Sequence, residues 1–159
     1  MAERKEELLS MMMPRNHTYQ MILLVLFILI WVLDSFLFRI TTILADMIPF
    51  WIPLIPAGLV LIYSAYLIDR SHKDLFDSEE TGVITTGVFS KVRHPMYLGT
   101  TLVYLAIGVA TLSLAAIALF IIIFGAYNAI ANYEEKKLEE KFGPEYLDYK
   151  KRVSKWIPL

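Results

Sequence analysis

The sequence predicts an all-α integral membrane protein with about four transmembrane helices. Of its 159 residues 57% are hydrophobic and the mean hydropathy is +0.53, too apolar for a water-soluble domain of this size. The apolar residues fall into stretches of bilayer-spanning length, separated by short charged segments. Two polar clusters, Arg93-His94-Pro95-Met96-Tyr97-Leu98-Gly99 and Glu134-Glu135 with Tyr146 and Tyr149, bracket the last apolar region, so one helical hairpin would bring them together.

Residues 1–18 form an N-terminal cytoplasmic segment in this reading. Met1–Pro14 mixes acidic and basic residues ahead of any apolar run, which speaks against a removable signal peptide. Met11-Met12-Met13, after Leu8 and Leu9, suits a short interfacial helix or an irregular start. The first span is 19–38, interrupted only by Gln20, Asp34 and Ser35. Asp34 is an acidic group inside a span, for which a functional role is the default reading; a structural role with Arg39 as its partner is the alternative favoured here.

The second span is 49–68, with Pro49, Pro53 and Pro56 crowding its first half, so a bend or a late helix start is expected there. Residues 69–95 are polar, carry Gly82 and Gly87, and form a cytoplasmic loop too long for a plain connector. The apolar run from Met96 to Ile130 is longer than one span requires, and the break at Thr111-Leu112-Ser113 divides it into spans at 96–110 and 113–131. The second arm continues as a helix through Glu134, Glu135 and Lys141 until Gly143 and Pro144 stop it, leaving 132–159 as a cytoplasmic helix and tail. The whole chain, 1–159, reads as a single domain.

Charge sets the expected orientation. Arg4, Lys5 and Arg15 precede the first span, Arg70, Lys73, Lys91 and Arg93 precede the third, and the residues after the fourth are rich in Lys and Arg, whereas Arg39 is alone between the first two. The positive-inside rule therefore places both termini, the long loop and both polar clusters on the cytoplasmic face. The chain has no cysteine, which removes disulfides, thiolate nucleophiles and thiolate metal sites. His17, His72 and His94 lie far apart in sequence, so no metal site is expected, and a net charge of −1 gives no sign of nucleic-acid binding.

Pro95 suits the first turn of a helix, whose free N–H groups can hold an anionic ligand group; His94 and Tyr97 add donors beside them. Glu134 and Glu135 supply negative charge for a ribose diol or a cationic ligand. Ordinary roles fit the same residues: Arg93 and Tyr97 as interfacial anchors, the glutamates as part of a solvated charged face.

The segment from Val83 to Gly99, Val-Ile-Thr-Thr-Gly-Val-Phe-Ser-Lys-Val-Arg-His-Pro-Met-Tyr-Leu-Gly, resembles the signature of the isoprenylcysteine carboxyl methyltransferase and phospholipid methyltransferase superfamily. Glu134-Glu135-x-x-Leu138 and the stretch Phe142–Val153 are similar to its second motif. The resemblance covers about the C-terminal half. It implies a multi-pass membrane methyltransferase using S-adenosyl-L-methionine, with a cytoplasmic cofactor site formed by the C-terminal half and a lipophilic small molecule or lipid as acceptor, reached from the surrounding membrane lipids. On that pattern Val83, Ile84, Phe89, His94, Pro95, Met96, Tyr97, Gly99 and Glu134 would bind the cofactor, with Thr81 and Gly82 as lesser candidates. Arg93, His94 and Glu135 would be catalytic: Arg93 by pairing an acceptor carboxylate, His94 or a glutamate by taking a proton from an amine acceptor.

One position departs from the pattern. Members acting on a prenylcysteine carboxylate tend to carry arginine four residues before the first glutamate, and this chain has Ile130, which turns attention to Asn128 and Asn132 as polar contacts for a different acceptor. Two other classes stay open on sequence alone: an NADPH-dependent membrane reductase of the sterol-reductase-like type, and a non-catalytic four-helix scaffold.

Overall fold

The computed structural model describes residues 16–76 and 82–157; Met11–Met13 and Thr81 lie outside them. Among these residues five α-helices follow in order: α1 (Asn16–Val32), α2 (Trp51–Phe76), α3 (Pro95–Thr111), α4 (Leu114–Phe142) and α5 (Pro144–Arg152). Among the described residues three segments are long and apolar enough to cross a membrane, His17–Phe38, Trp51–Leu75 and Leu114–Phe142, and α3 is a shorter apolar helix. The all-α membrane architecture expected from composition is thus the one observed. Val25, Leu29, Leu59, Ile62, Ile121 and Ile122 are exposed on the helix surfaces, an arrangement that water would penalise and lipid would not.

α1 passes into a π-helical turn, Leu33–Phe38, that ends at Arg39 in the left-handed region (φ 49°). Arg39 does not pair with Asp34 as the sequence suggested. Its guanidinium meets Asp46 at 2.5 Å, because the left-handed residue turns the chain toward the 3-10 turn Ile43–Asp46. Asp34 is buried and accepts from the Thr41 amide (2.8 Å), the Thr41 hydroxyl (2.6 Å) and the Ser113 hydroxyl (2.6 Å). It ties the end of α1 to the α3–α4 corner, the structural role favoured for it.

α2 begins late, at Trp51, with Pro53 in its first turn and Pro56 inside the helix. It also runs eight residues beyond Ile68, where a loop was expected. The extension is polar but has its own support. Lys73 and Asp69 pair at 2.9 Å one turn apart, and Asp74 accepts from the Val88 amide (2.8 Å), fixing the 3-10 turn Gly87–Ser90 against the helix end. Gly87 is required there: its φ is +57°, and an added Cβ would lie 2.0 Å from Asp74 Oδ2.

The hairpin break is built by Leu112 in the left-handed region (φ 52°) and by Ser113, which caps α4 by accepting from the Ala116 amide. α4 is 29 residues long, or about 43 Å at ~1.5 Å per residue, which exceeds the ~30 Å hydrocarbon core; one end must project from it. Gly143, at φ 52°, terminates α4 and Pro144 opens α5. The core is formed by Phe27 of α1, Tyr97 and Tyr104 of α3, and Ala116, Ile123, Tyr127, Ile130 and Ala131 of α4, with Phe27 and Tyr104 edge to face at 4.8 Å.

α2 and α3 form the most extensive helix pair, and Gly99 is the reason they approach so closely. A Cβ there would meet Ile68 at 2.8 Å, the Ser64 carbonyl oxygen at 3.0 Å and Leu67 at 3.2 Å, while the Ser64 hydroxyl donates to the Gly99 carbonyl (2.7 Å). Gly99→Ala should therefore push the helices apart and cost about 1–3 kcal/mol of stability, read as a lowered melting temperature in detergent. An unchanged melting temperature would contradict the packing described.

Candidate functional site

His94 precedes α3 and Pro95 opens it; Glu134 and Glu135 lie two-thirds of the way along α4. Because α3 and α4 form a hairpin, the start of one faces the later part of the other. The Tyr97 hydroxyl donates to Glu134 Oε1 at 2.5 Å, and His94 Nε2 lies 3.1 Å from Glu135 Oε1. The rings of His94 and Tyr97 are parallel, 5.8 Å apart and 3° from coplanar, and Tyr97 meets Tyr127 edge to face at 5.4 Å.

Glu135 is the hub. Its carboxylate is buried and lies 3.0 Å from Arg93 Nη2, 3.0 Å from Lys150 Nζ and 3.7 Å from Lys155 Nζ. Arg93 also donates through Nη1 to the carbonyls of Lys150 (3.1 Å) and Val153, and through Nε to Glu135 at 3.0 Å. Its guanidinium is spent on locking α5 and the following segment to α4. Lys150 is further held by Glu139 at 2.5 Å.

The C-terminal segment folds back over the loop through main-chain contacts as well. The Arg93 amide donates to the Ser154 carbonyl (3.0 Å), and Val92 and Ser154 form an isolated parallel bridge. Tyr149 donates to the Phe89 carbonyl (2.7 Å), and Glu145 accepts from the Val83 amide (3.1 Å). Ile84 is buried, Val83 and Phe89 are half-buried, and all three sit on this tied-down loop.

Lys155 and Trp156 were not singled out in the sequence. Lys155 donates to Asn132 and, at 3.5 Å, to Asn128. Trp156 donates to Asn128 at 3.1 Å, and its ring lies 5.8 Å from His94 and 5.0 Å from Phe124. The two asparagines weighed as acceptor contacts thus hold the C-terminal segment. The signal available was an aromatic residue within an otherwise charged tail. Ile130, at the position of the family arginine, is buried in the core. Gly99 serves the α2 contact, and Pro95 is buried beside His94.

Burial holds the His94 imidazole below its ordinary value, with Lys155 and Arg93 acting in the same direction and the contact with Glu135 opposing them. A neutral ring donating from Nε2 to Glu135 leaves Nδ1 as an acceptor. The sign for stability follows. The unfolded chain takes up a proton near the ordinary histidine value while native His94 resists it, so the unfolded state binds more protons and stability falls as pH drops below about 6.5. His94→Gln should make that acid-side fall shallower, checked by melting temperatures at pH 7.5 and 5.5; an unaltered slope would remove His94 as its source.

The sequence model of the phospholipid methyltransferase family matches residues 54–145, which run from the first turn of α2 through α3 and α4 to the start of α5. The chain is 40% identical over 80 residues to a protein-S-isoprenylcysteine O-methyltransferase of Saccharomyces cerevisiae, covering 48% of this chain and 33% of that protein. It is 32% identical over 85 residues to the mouse protein-S-isoprenylcysteine O-methyltransferase, covering 52% and 29%. To methanethiol S-methyltransferase 2 of Bradyrhizobium diazoefficiens it is 32% identical over 113 residues, covering 63% and 42%. The chain therefore spans about a third of the length of the first of these relatives and less than half of the others. With the family's model matched over more than half of its residues, and with both motif regions meeting at one end of the α3–α4 hairpin, the chain belongs to the phospholipid methyltransferase family.

Proposed function

We propose that this chain is an S-adenosyl-L-methionine-dependent membrane methyltransferase acting on a lipophilic acceptor, with its termini and site on the cytoplasmic side. The observation that carries the reading is the meeting of Tyr97 with Glu134 at 2.5 Å beside the buried His94–Glu135 pair, which joins the two motifs in one place.

The residues fit the cofactor's chemistry. A carboxyl group can accept several hydrogen bonds and Glu134 accepts one from the Tyr97 hydroxyl, so Glu134 retains capacity for ribose hydroxyls or an ammonium. The parallel rings of His94 and Tyr97 and the nearby Trp156 offer aromatic faces to a cationic sulfur. Val83, Ile84 and Phe89 supply an apolar surface for a base, and Met96 is on the first turn of α3. When bound, the cofactor would supply an electrophilic methyl group for direct displacement. The chain's own tasks are then to align the acceptor, exclude water and balance charge. His94, kept neutral, is placed to take a proton from an acceptor that carries one.

Glu135 and Arg93 fit positioning better than contact with the acceptor, since each is committed to the clasp between α4 and the C-terminal segment. With Ile130 in the core and Arg93 so engaged, the arrangement favours an acceptor group other than a carboxylate. The test is calorimetry on the detergent-purified protein with S-adenosylmethionine, S-adenosylhomocysteine and NADPH. Binding of the first two and not the third supports the reading. Binding of NADPH alone would transfer the case to a reductase, and a folded protein that binds none would favour a scaffold.

A further inference from the structure

The connection between α1 and α2 is apolar and uncovered. Phe36, Phe38, Ile43, Met47, Phe50 and Trp51 are each more than half exposed. Of the charged and hydroxyl-bearing residues from 36 to 51, Thr41 donates to Asp34 and Thr42 is buried. That leaves Arg39 and Asp46, which pair with each other at 2.5 Å while 51% and 68% of their side chains stay exposed. A loop built for water would show free charges and turn its apolar groups inward; this one does the reverse. It lies at the end of the molecule away from the candidate site. α3 starts at the site with Pro95 and ends at the Leu112–Ser113 corner, where Ser113 donates to Asp34 and the Leu114 and Ala115 amides donate to Thr41. The 17 residues of α3 span about 25 Å at ~1.5 Å per residue, short of the ~30 Å hydrocarbon core. Lys91, exposed and charged, keeps the start of α3 from sinking into that core, so the corner stops within it. Residues 36–51, fastened to the corner through Thr41, belong to this depth.

We infer that this connection is itself embedded in the bilayer: its apolar side chains lie among the acyl chains of the leaflet farther from the site, and the Arg39–Asp46 pair sits at the level of the headgroups. Lipid fits better than a protein partner for two reasons. Phe36, Leu37 and Phe38 are consecutive in one helical turn and all exposed, so they point to different sides, which suits surroundings that are apolar all round and not a single docked face. The exposed apolar surface also continues along α1 through Val32 and Leu29 and along α2 through Ile55 and Leu59, inside segments of membrane-spanning length. The polar groups agree with this depth. A lone arginine or aspartate near the acyl layer is costly, and a matched pair is the usual remedy. The short helical turns Leu33–Phe38 and Ile43–Asp46 satisfy much of the backbone locally, as a segment at the edge of the hydrocarbon must. The inference holds whatever reaction the other end of the molecule performs.

The chain has no cysteine, so a single one can be placed at will. Met47→Cys and Phe50→Cys alter side chains that are 76% and 78% exposed and should leave the packing intact. Lys151→Cys, exposed on α5, is the control at the other end. Each full-length variant is labelled in detergent with a nitrobenzoxadiazole maleimide and reconstituted in phosphatidylcholine vesicles. Its fluorescence is then quenched by iodide, present on both sides, or by phosphatidylcholine brominated along its acyl chains. The expected result is quenching by the brominated lipid and loss of iodide quenching at 47 and 50, with the reverse at 151. Iodide quenching at either 47 or 50 as strong as at 151 would place the connection in water and overturn the inference. Protection from both quenchers would mean that protein covers it, a second copy of this chain being the first to seek by cross-linking, and would overturn lipid as the partner. The readout needs no cofactor, so it stands or falls apart from S-adenosylmethionine binding.

Discussion

Glu135→Ala should cost about 3–5 kcal/mol of stability, the range for removing one partner from a buried ionic cluster. The reason is asymmetry. Removing the carboxylate leaves the Arg93 side chain, only 9% exposed, and the Lys155 side chain, 16% exposed, without their counter-charge, and it takes the Glu135 hydrogen bond from His94. Removing one cation does less harm, since Glu135 keeps the others; Lys155→Ala should cost about 1–2 kcal/mol, for its outlying contact with Glu135 and its hydrogen bonds to Asn132 and Asn128. For a chain of this length the larger loss corresponds to a fall of roughly 10 °C in melting temperature. The ordering of the two variants carries the claim. If Lys155→Ala proved as damaging as Glu135→Ala, the carboxylate would not be the hub.

The same cluster explains what the sequence could and could not disclose. Helix number and the hairpin corner were legible because they depend on local properties: the length of apolar runs, and a break at Thr111-Leu112-Ser113 that the chain realises with a left-handed Leu112 and a capping Ser113. The end of α4 at Gly143 was legible for the same reason. The end of α2 was not, because charged residues read as loop, and what keeps them helical is a long-range contact, Asp74 with the Val88 amide. Asp34 was recognised as exceptional, but its partners Thr41 and Ser113 are polar residues at two separate corners that only the fold brings together.

The motif residues were found, yet their division of labour was hidden. Glu134 and Glu135 are neighbours in sequence and point to different partners, one to Tyr97 and the other to Arg93, His94, Lys150 and Lys155. Adjacent helix positions are about 100° apart around the axis, so a pair of identical residues need not share a role. Gly99 illustrates the converse. It lies inside the motif, and its visible duty is to let α2 approach α3.

Glu134→Ala should weaken S-adenosylmethionine binding by up to about 10-fold, the ~0.5–1.5 kcal/mol attached to one hydrogen bond. Its cost to the fold should be smaller than that of Glu135→Ala, because Glu134 is half-buried and no cation in the clasp depends on it. Removing it takes away the acceptor of the 2.5 Å hydrogen bond from the Tyr97 hydroxyl, so Tyr97→Phe provides the control that separates the two effects. If Glu134 acts on the ligand directly, Tyr97→Phe alone should leave most of the affinity, and the double variant should bind no worse than Glu134→Ala. If Tyr97→Phe by itself abolished binding while Glu134→Gln bound normally, the tyrosine hydroxyl would be the ligand's partner and Glu134 only its support. Calorimetric titration of the four variants distinguishes these outcomes, with melting temperatures measured alongside to establish that each protein is folded.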